Sequence, residues 1–461
     1  MPNRINLLFP VEVINRELDF RLFLACLSAR PNTRAWIGQP RTVYRLANFM
    51  KGGVYIGKNI FGLPPNITWN RYHNLKKRQF KFIHLDEEGA IYRGGPESWR
   101  KELSRRLDPT CFEAEDYICT WGDFQRDYYK SFNPKNSENI RTTGHPRFDM
   151  YKPEYREFYA PEAARLREKY GDFILINSNL HRVNHHNGQE RVFSERLEFH
   201  PEDPARRTAF FERWQHLTYT LTCFVRLINQ LSIEFPDLNI VVRPHPSENQ
   251  AFYKHSFGQV KNVHAVREGS VGAWLFACRA MIHDGCTTGL EGYLANRPVI
   301  NFKPISDEKH DSFLPNLFGT RCTTNDEVVK FIRNLQSTPS ADHAPPATDL
   351  PADAYAMLDN LSHESFPQLL AVMDEIVATM KPEESSQALA QYILQENLRG
   401  AGHTIKNSLR SMTKKKGEKL GKFYGIEKDG ISAKLELIQK VTGTRIKATV
   451  HAKDLMSVEA V

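Results

Sequence analysis

The amino-acid sequence predicts an α/β protein built on parallel sheets, and three observations lead there. Short β-branched or apolar runs, such as Asn239-Ile240-Val241-Val242 and Ala280-Met281-Ile282, are each followed at once by a turn. A helical pattern then intervenes before the next such run, as between Thr287 and Arg297-Pro298-Val299-Ile300. The chain has 461 residues, 41% hydrophobic and 25% charged, which is enough for two or three water-soluble domains.

Ile5 to Val13 is the first predicted strand. Leu18, Leu22, Ala25, Cys26 and Ala29 mark the helix after it, and Ala35-Trp36-Ile37-Gly38 the next strand. Gly52 to Asn59 is a glycine-flanked apolar segment that reads either as a close backbone approach to substrate or as a turn. Phe80 to Leu85 is a strand that runs straight into Asp86-Glu87-Glu88-Gly89. Adjacent carboxylates repel, so at least one pKa is expected to rise, which suits a general base. The same run also reads as a solvated acidic turn closed by Gly89. Tyr117 to Gly122 is a further strand and turn. Gly144-His145-Pro146-Arg147-Phe148-Asp149 closes the first domain.

Residues 151–170 are read as a linker and a helix packed through Tyr155 and Leu166. Asp172 to Asn179 is the first strand of a second domain, and its polar end places Asn177 and Ser178 to hydrogen-bond a phosphate or sugar. His181, His185 and His186 follow. They lack the His-Glu-x-x-His arrangement and read as a polar loop rather than a zinc site. Phe211 to Phe235 is a long helix with Trp214, Leu217, Leu221, Val225 and Ile228 on its expected core face.

The chemistry concentrates between Asn239 and Phe302. In Arg243-Pro244-His245-Pro246-Ser247-Glu248 the two prolines end the strand and hold His245 on a stiff loop. His283-Asp284-Gly285-Cys286 is the second turn, and Thr287-Thr288-Gly289-Leu290-Glu291 begins a helix. A helix N-terminus flanked by glycine and hydroxyls suits a phosphate, because its N–H groups and dipole point outward. Thr288-x-x-Glu291 reads equally well as a capping box that needs no ligand.

After a helix at Glu327 to Leu335, the stretch from Ser337 to Ala354 is rich in Pro, Ala, Asp and Ser and is expected to be flexible. Helical patterns occupy 366–380 and 385–398. Residues 399–424 then carry eight basic side chains against one acid, with Ile405, Leu409, Met412, Leu420 and Phe423 among them. That segment suits either a solvated tail or an anionic membrane surface.

Net charge is +8 and the pI about 9.0, which favours anionic partners. Nucleic acid is excluded for want of any zinc-finger or RNP-type signature. The seven cysteines are scattered without a Cys-x-x-Cys pair, as in a cytoplasmic protein with reduced thiols. Neither a signal peptide nor an apolar run of about 18 residues is present, so the expected location is the cytoplasm, with the basic tail free to touch the inner membrane face.

The Arg-Pro-His-Pro loop and the following Thr287-Thr288 pair, taken together, resemble the carboxyl-terminal half of glycosyltransferases of the GT-B fold. They are most similar to bacterial sialyl-, polysialyl- and Kdo transferases with an HP motif. CDP-glycerol glycerophosphotransferases share a similar Arg-Pro-His-Pro loop, and the stretch from about Ile5 to Leu335 also resembles bacterial capsule and lipopolysaccharide biosynthesis proteins. The resemblance implies two Rossmann-like domains facing a cleft, plus a helical, basic C-terminal tail. Residues 1–150 would be the acceptor domain and 151–336 the nucleotide-sugar domain, with 337–357 a flexible linker and 358–461 a helical basic region.

It also implies a metal-independent glycosyltransferase without cofactor, whose substrates are a nucleotide sugar, CMP-linked by preference, and a surface glycan or its lipid-linked precursor. His245 would contact the donor phosphate and protonate the departing CMP. Arg243, Pro246, Thr287, Thr288, Gly289, Asn177 and Ser178 would surround that phosphate, and Glu291 would bind ribose or cap its helix. The acidic run aligns with an Asp/Glu-Asp/Glu-Gly motif whose first acid is the acceptor base. That makes Glu87 the base, with Asp86 and Glu88 as alternatives because the run is one acid longer. A CDP-glycerol-type polyol-phosphate transferase, a non-catalytic subunit of an export assembly, and a sugar-nucleotide epimerase remain as other readings.

Overall fold

The computed structural model describes residues 4–58, 60, 67–337, 349–382, 387, 389–396, 398, 423, 425, 426 and 428–461. The chain divides into two compact units. The first holds Met1–Gly89, Glu102–Met150 and Tyr355–Val461, and the second Ala90–Lys101 and Tyr151–Ala354.

In the first unit, β1 (Ile5–Pro10), β2 (Thr33–Gly38), β3 (Gly53–Gly57), β4 (Phe80–Leu85), β5 (Tyr117–Thr120) and β6 (Ile140–Thr142) run parallel in the order β2-β1-β3-β4-β5-β6. Helices such as Ile14–Leu27 and Asp123–Phe132 make the crossovers that parallel strands require. In the second unit, β7 (Phe173–Ser178), β8 (Asn239–Pro244), β9 (Val263–Ala265), β10 (Ala280–His283), β11 (Val299–Phe302) and β12 (Thr320–Cys322) are also all parallel, ordered β12-β11-β10-β7-β8-β9. Every residue of β2, β7, β10 and β11 is buried, so these strands are covered on both faces. Both units have the expected Rossmann-like layout.

The core of the second unit joins Ile174, Ile176, Ile240, Val242, Ile282 and Ile300 to Phe224, Leu227, Ile228 and Leu231 of the helix Pro204–Glu234. That helix starts earlier than the sequence pattern suggests. Pro204 occupies its first turn, and the Asp203 carboxylate accepts from the N–H groups of Ala205 and Arg206. Its buried stripe is also rotated from the expected one: Trp214, Leu217, Leu221 and Val225 are only partly buried at the core's margin.

The region after 336 departs most from expectation. The return segment belongs to the first unit, where Asn360 clamps the turn at His145: it accepts from the His145 N–H at 2.7 Å and donates to the His145 carbonyl at 3.1 Å. Asp149 accepts from the N–H groups of Ser365 and Phe366, capping the helix Ser365–Ala378. Residues 338–348 lie outside the described residues. Within the expected linker, however, Ala352–Met357 is a helix, with Ala354 and Met357 buried.

Nor is the C-terminus a helical tail. The helix Lys428–Thr442 is followed by β13 (Ile446–Ala452) and β14 (Leu455–Ala460), an antiparallel hairpin whose second strand pairs with β2 from Leu455↔Gly38 to Val458↔Ala35. Burial of Leu455, Met456 and Val458 explains why the segment folds onto the sheet edge despite its charged surroundings. The basic residues Arg399 to Lys422 lie outside the described residues, so the expected membrane segment does too. Among the described residues no helix is long and apolar enough to cross a membrane.

Candidate functional site

The ends of β7, β8 and β10 bring most of the predicted phosphate-binding residues together. Asn177 is in register with Arg243 on β8 and with His283 on β10. The His245 loop begins where its N–H donates to the Ser178 carbonyl at 3.1 Å. His245 Nδ1 accepts from the Ser247 N–H at 3.1 Å, which leaves Nε2 to carry the proton of the neutral ring. The imidazole stacks on that of His181, with centroids 4.8 Å apart. Pro246, beside it, is exposed.

The loop is fixed from behind by Glu248, which is fully buried. Its carboxylate accepts from Ser178 Oγ at 3.0 Å, the Leu180 N–H at 3.0 Å and Tyr253 Oη at 2.6 Å. Burial raises its pKa against these donors. Ser178 therefore directs its hydroxyl into this lock and is not the ligand-facing group the sequence suggested. Arg243 is likewise held: its guanidinium donates to the carbonyls of Glu268 and Gly269, both at 3.0 Å, and lies over the Trp274 ring. Burial lowers its pKa to about 10, so it remains cationic at neutral pH.

The β10 turn is built on close approach. A Cβ on Gly289 would fall 2.3 Å from the His283 imidazole, so only glycine fits there. His283 is fully buried, its Nε2 3.0 Å from the Phe318 carbonyl, and burial lowers its pKa to about 4. Thr287 is the first residue of the helix Thr287–Leu294. The N-cap position falls on Cys286, which makes no side-chain cap. The Thr288-x-x-Glu291 capping box is consequently not formed, because both residues sit too far into the helix. Glu291 is instead a buried side chain of the second turn.

Asn177 and Thr288 are among the side chains here that carry buried polar atoms without hydrogen-bond partners. Asn177 is 4% exposed, and neither its amide oxygen nor its nitrogen is satisfied. Thr288 Oγ1 is buried and unsatisfied as well. Such atoms are uncommon and cost roughly 1–3 kcal/mol each. They lie beside an uncapped helix start, at the carboxyl ends of parallel strands.

In the first unit the acidic run behaves differently from expectation. Glu87 is 1% exposed and its Oε1 is 3.1 Å from Arg21, which is equally buried. Its Oε2 lies 3.4 Å from His145 Nε2. His145 Nδ1 accepts from the Arg147 N–H at 3.1 Å, which orients the ring. Burial would raise the Glu87 pKa, but His145, Arg21 and Arg16 outweigh it and hold the carboxyl well below its ordinary value. Burial lowers His145 to about 4, so it is neutral near pH 7. Asp86 is also held below its ordinary range: burial acts upward, but Arg106 at 3.1 Å, His84 and the Glu88 N–H prevail. Neither acid shows the rise that mutual repulsion was expected to cause, because each has its own cation. Glu88 is the exposed member, with 51% of its side chain accessible, and pairs with Arg16 at 3.1 Å. The turn is tight because Gly89 backs onto Trp121, where a Cβ would approach the indole to 2.8 Å.

Arg21, His145 and Glu248 thus do work that sequence reasoning did not assign. A signal existed for Arg21, a cation set between Phe20 and Leu22 in a largely apolar run, and for Glu248, the acid that closes the His-Pro loop. His185, buried, accepts through Nδ1 from the Asn187 N–H, and its ring stacks on His186. Among the described residues no group of three or more His, Cys, Asp or Glu is placed to hold a metal ion.

Compared by sequence, the chain matches no protein-family model and no curated protein. Among solved structures it is similar to the wall teichoic acid polymerase TagF soaked with CDPG, at 13% identity over 81% of this chain and 88% of that one, with a TM-score of 0.48. It is also similar to the UDP-GlcNAc 2-epimerase of Neisseria meningitidis bound to UDP-GlcNAc, at 9% identity over 81% of this chain and 100% of that one, TM-score 0.43. A third is MnaA of S. aureus with UDP, at 11% identity over 84% and 100%, TM-score 0.44. Likeness at this level carries no argument about activity, which has to come from the residues themselves.

Proposed function

We propose that this protein is a glycosyltransferase that moves a sugar from a nucleotide-linked donor, CMP-linked Kdo or a sialic-acid-like sugar by preference, onto a bacterial surface glycan or its lipid-linked precursor. The observation that carries the reading is the unsatisfied, buried polar set of Asn177 and Thr288 beside His245 and the start of the helix Thr287–Leu294. The donor phosphate accepts from Thr288 and the helix N–H groups, and the helix dipole offsets its charge without a metal ion. The acceptor oxygen bonds to the anomeric carbon as the bond from that carbon to the phosphate oxygen breaks. The nucleotide leaves as its phosphate anion, and His245 Nε2–H hydrogen-bonds the phosphate oxygen on which charge develops. The acceptor's proton passes to a base as the new bond forms; within the acidic run Glu88 is the exposed carboxylate, whereas Asp86 and Glu87 are tied to Arg106 and Arg21.

The Arg-Pro-His-Pro loop also supports a second reading, transfer of a polyol phosphate from CDP-glycerol. The test is to incubate the protein, in the presence of a chelator, with CMP-, UDP- and CDP-linked donors and a bacterial glycan fraction. Release of CMP with a product free of new phosphorus supports the first reading, and new phosphorus in the product supports the second. Nucleotide binding without release of any product would leave only a non-catalytic subunit.

A further inference from the structure

We propose that the second unit contains a separate subsite for an uncharged, hydroxyl-rich group, a sugar residue, in the cavity of about 480 Å³ beyond the ends of β11 and β12. Two asparagines decide its chemistry. Asn301 is 1% exposed, and its Nδ2 donates to the Asn316 carbonyl at 2.7 Å. Asn316 Nδ2 in turn donates to the Ser312 carbonyl at 2.8 Å. Each bond fixes its amide the same way round, because only the nitrogen can donate to a carbonyl. The carbonyl oxygens are therefore the atoms left over, and both Asn301 Oδ1 and Asn316 Oδ1 are buried without a partner. Both residues line the cavity. Two fixed acceptors without donors call for a ligand that supplies O–H or N–H groups.

The remaining lining narrows the class. Trp99 and Phe313 pack together, centroids 4.8 Å apart, and give the cavity an apolar side of the kind that takes the C–H face of a sugar ring. Carboxylates outnumber cations in the lining, Glu308, Asp311 and Asp353 against Lys303 and Arg321, and Lys303 is neutralised by Asp284 and Asp311, each at 2.7 Å. An anionic group would have to compete with those carboxylates, whereas hydroxyls need not. The cavity also adjoins the proposed phosphate turn, since a Cβ on Gly285 would meet Asn316 at 3.1 Å. The proposal rests on the transferase reading for its biological sense, and its test is independent of that reading.

The test uses the full chain and two variants. Gly95 lines the cavity, and a Cβ there meets only Glu308 Oε1 at 3.8 Å, so Gly95→Phe plugs the space without a backbone clash. Asn316→Leu removes one acceptor. Saturation-transfer NMR is recorded with methyl glycosides of glucose and N-acetylglucosamine, with N-acetylneuraminic acid and with glycerol, and CMP and UDP are titrated in parallel. The expected result is saturation of at least one uncharged glycoside by the wild type, weakened at least tenfold by each variant that melts like wild type, with nucleotide affinity unchanged. Silence across the panel, or signals that persist in the plugged variant, would overturn the subsite. Loss of the nucleotide arm with the glycoside arm intact would instead sink the transferase reading and leave the subsite standing.

Discussion

His245 is held by three backbone bonds and a stack on His181, none of which uses its Nε2. His245→Ala should lower turnover by about 10²-fold or more while the melting temperature stays near wild type, as loss of a charge-stabilising donor from a loop does. Comparable turnover in a folded variant would remove the residue from the mechanism. In the first unit, Arg21 and Glu87 are each 1% exposed in their side chains. Removing the cation leaves a buried carboxylate uncompensated, so Arg21→Met should destabilise by about 3–5 kcal/mol. The double variant with Glu87→Gln should recover part of that loss. Chemical denaturation checks both, and a single-variant loss under ~1 kcal/mol would show the pair to be solvated.

The elements were legible to unequal degrees, for physical reasons. β4 and β8 were readable because strands buried on both faces are short apolar runs ended by polar or proline turns, as at Asp86 and Pro244. The Pro204 start of the long helix was not, since exposed Arg206, Arg207 and Glu212 carry no apolar period and the capping Asp203 lies in a charged stretch. The C-terminal hairpin was hidden by the basic residues before it: β13 alternates partly exposed side chains, and only Leu455, Met456 and Val458 betray a core.

Within the candidate site, His245, Thr287 and Thr288 were visible as motif residues, but no local pattern shows that Ser178 and Glu248 face each other. That pairing depends on two strands meeting, a long-range fact. The β10 turn offers an element-scale test. Gly289→Ala drives a methyl into the His283 ring, which its bond to the Phe318 carbonyl holds in place. Overpacking of this kind costs about 1–3 kcal/mol and should weaken nucleotide binding as well. An alanine variant with wild-type stability and affinity would mean that the turn tolerates the shift and does not set the site.

At the scale of the whole molecule, buried histidines among the described residues contribute to the acid response. His84, His145 and His283 each fall from 6.5 to about 4 because burial disfavours the charged ring. Their folded pKa values lie below the unfolded ones, so the unfolded chain takes up protons first. Stability is complete above about pH 6.5 and is lost as the pH falls toward 4, by up to about 1.4 kcal/mol per pH unit for each group. Melting temperatures should therefore drop between pH 7 and pH 5, before the carboxylates titrate. A flat profile over that range would mean the rings are hydrated.

The central claim is that the ends of β7, β8 and β10 hold a nucleotide phosphate without a metal. Thermal shift of the purified protein with CMP, CDP, UDP and GDP, with chelator present, tests it most directly, because a ligand that binds only the folded state raises its stability. The account predicts that CMP gives the largest shift, that magnesium adds nothing, and that His245→Ala reduces the shift. Absence of stabilisation by every nucleotide, or a shift that His245→Ala leaves intact, would contradict it.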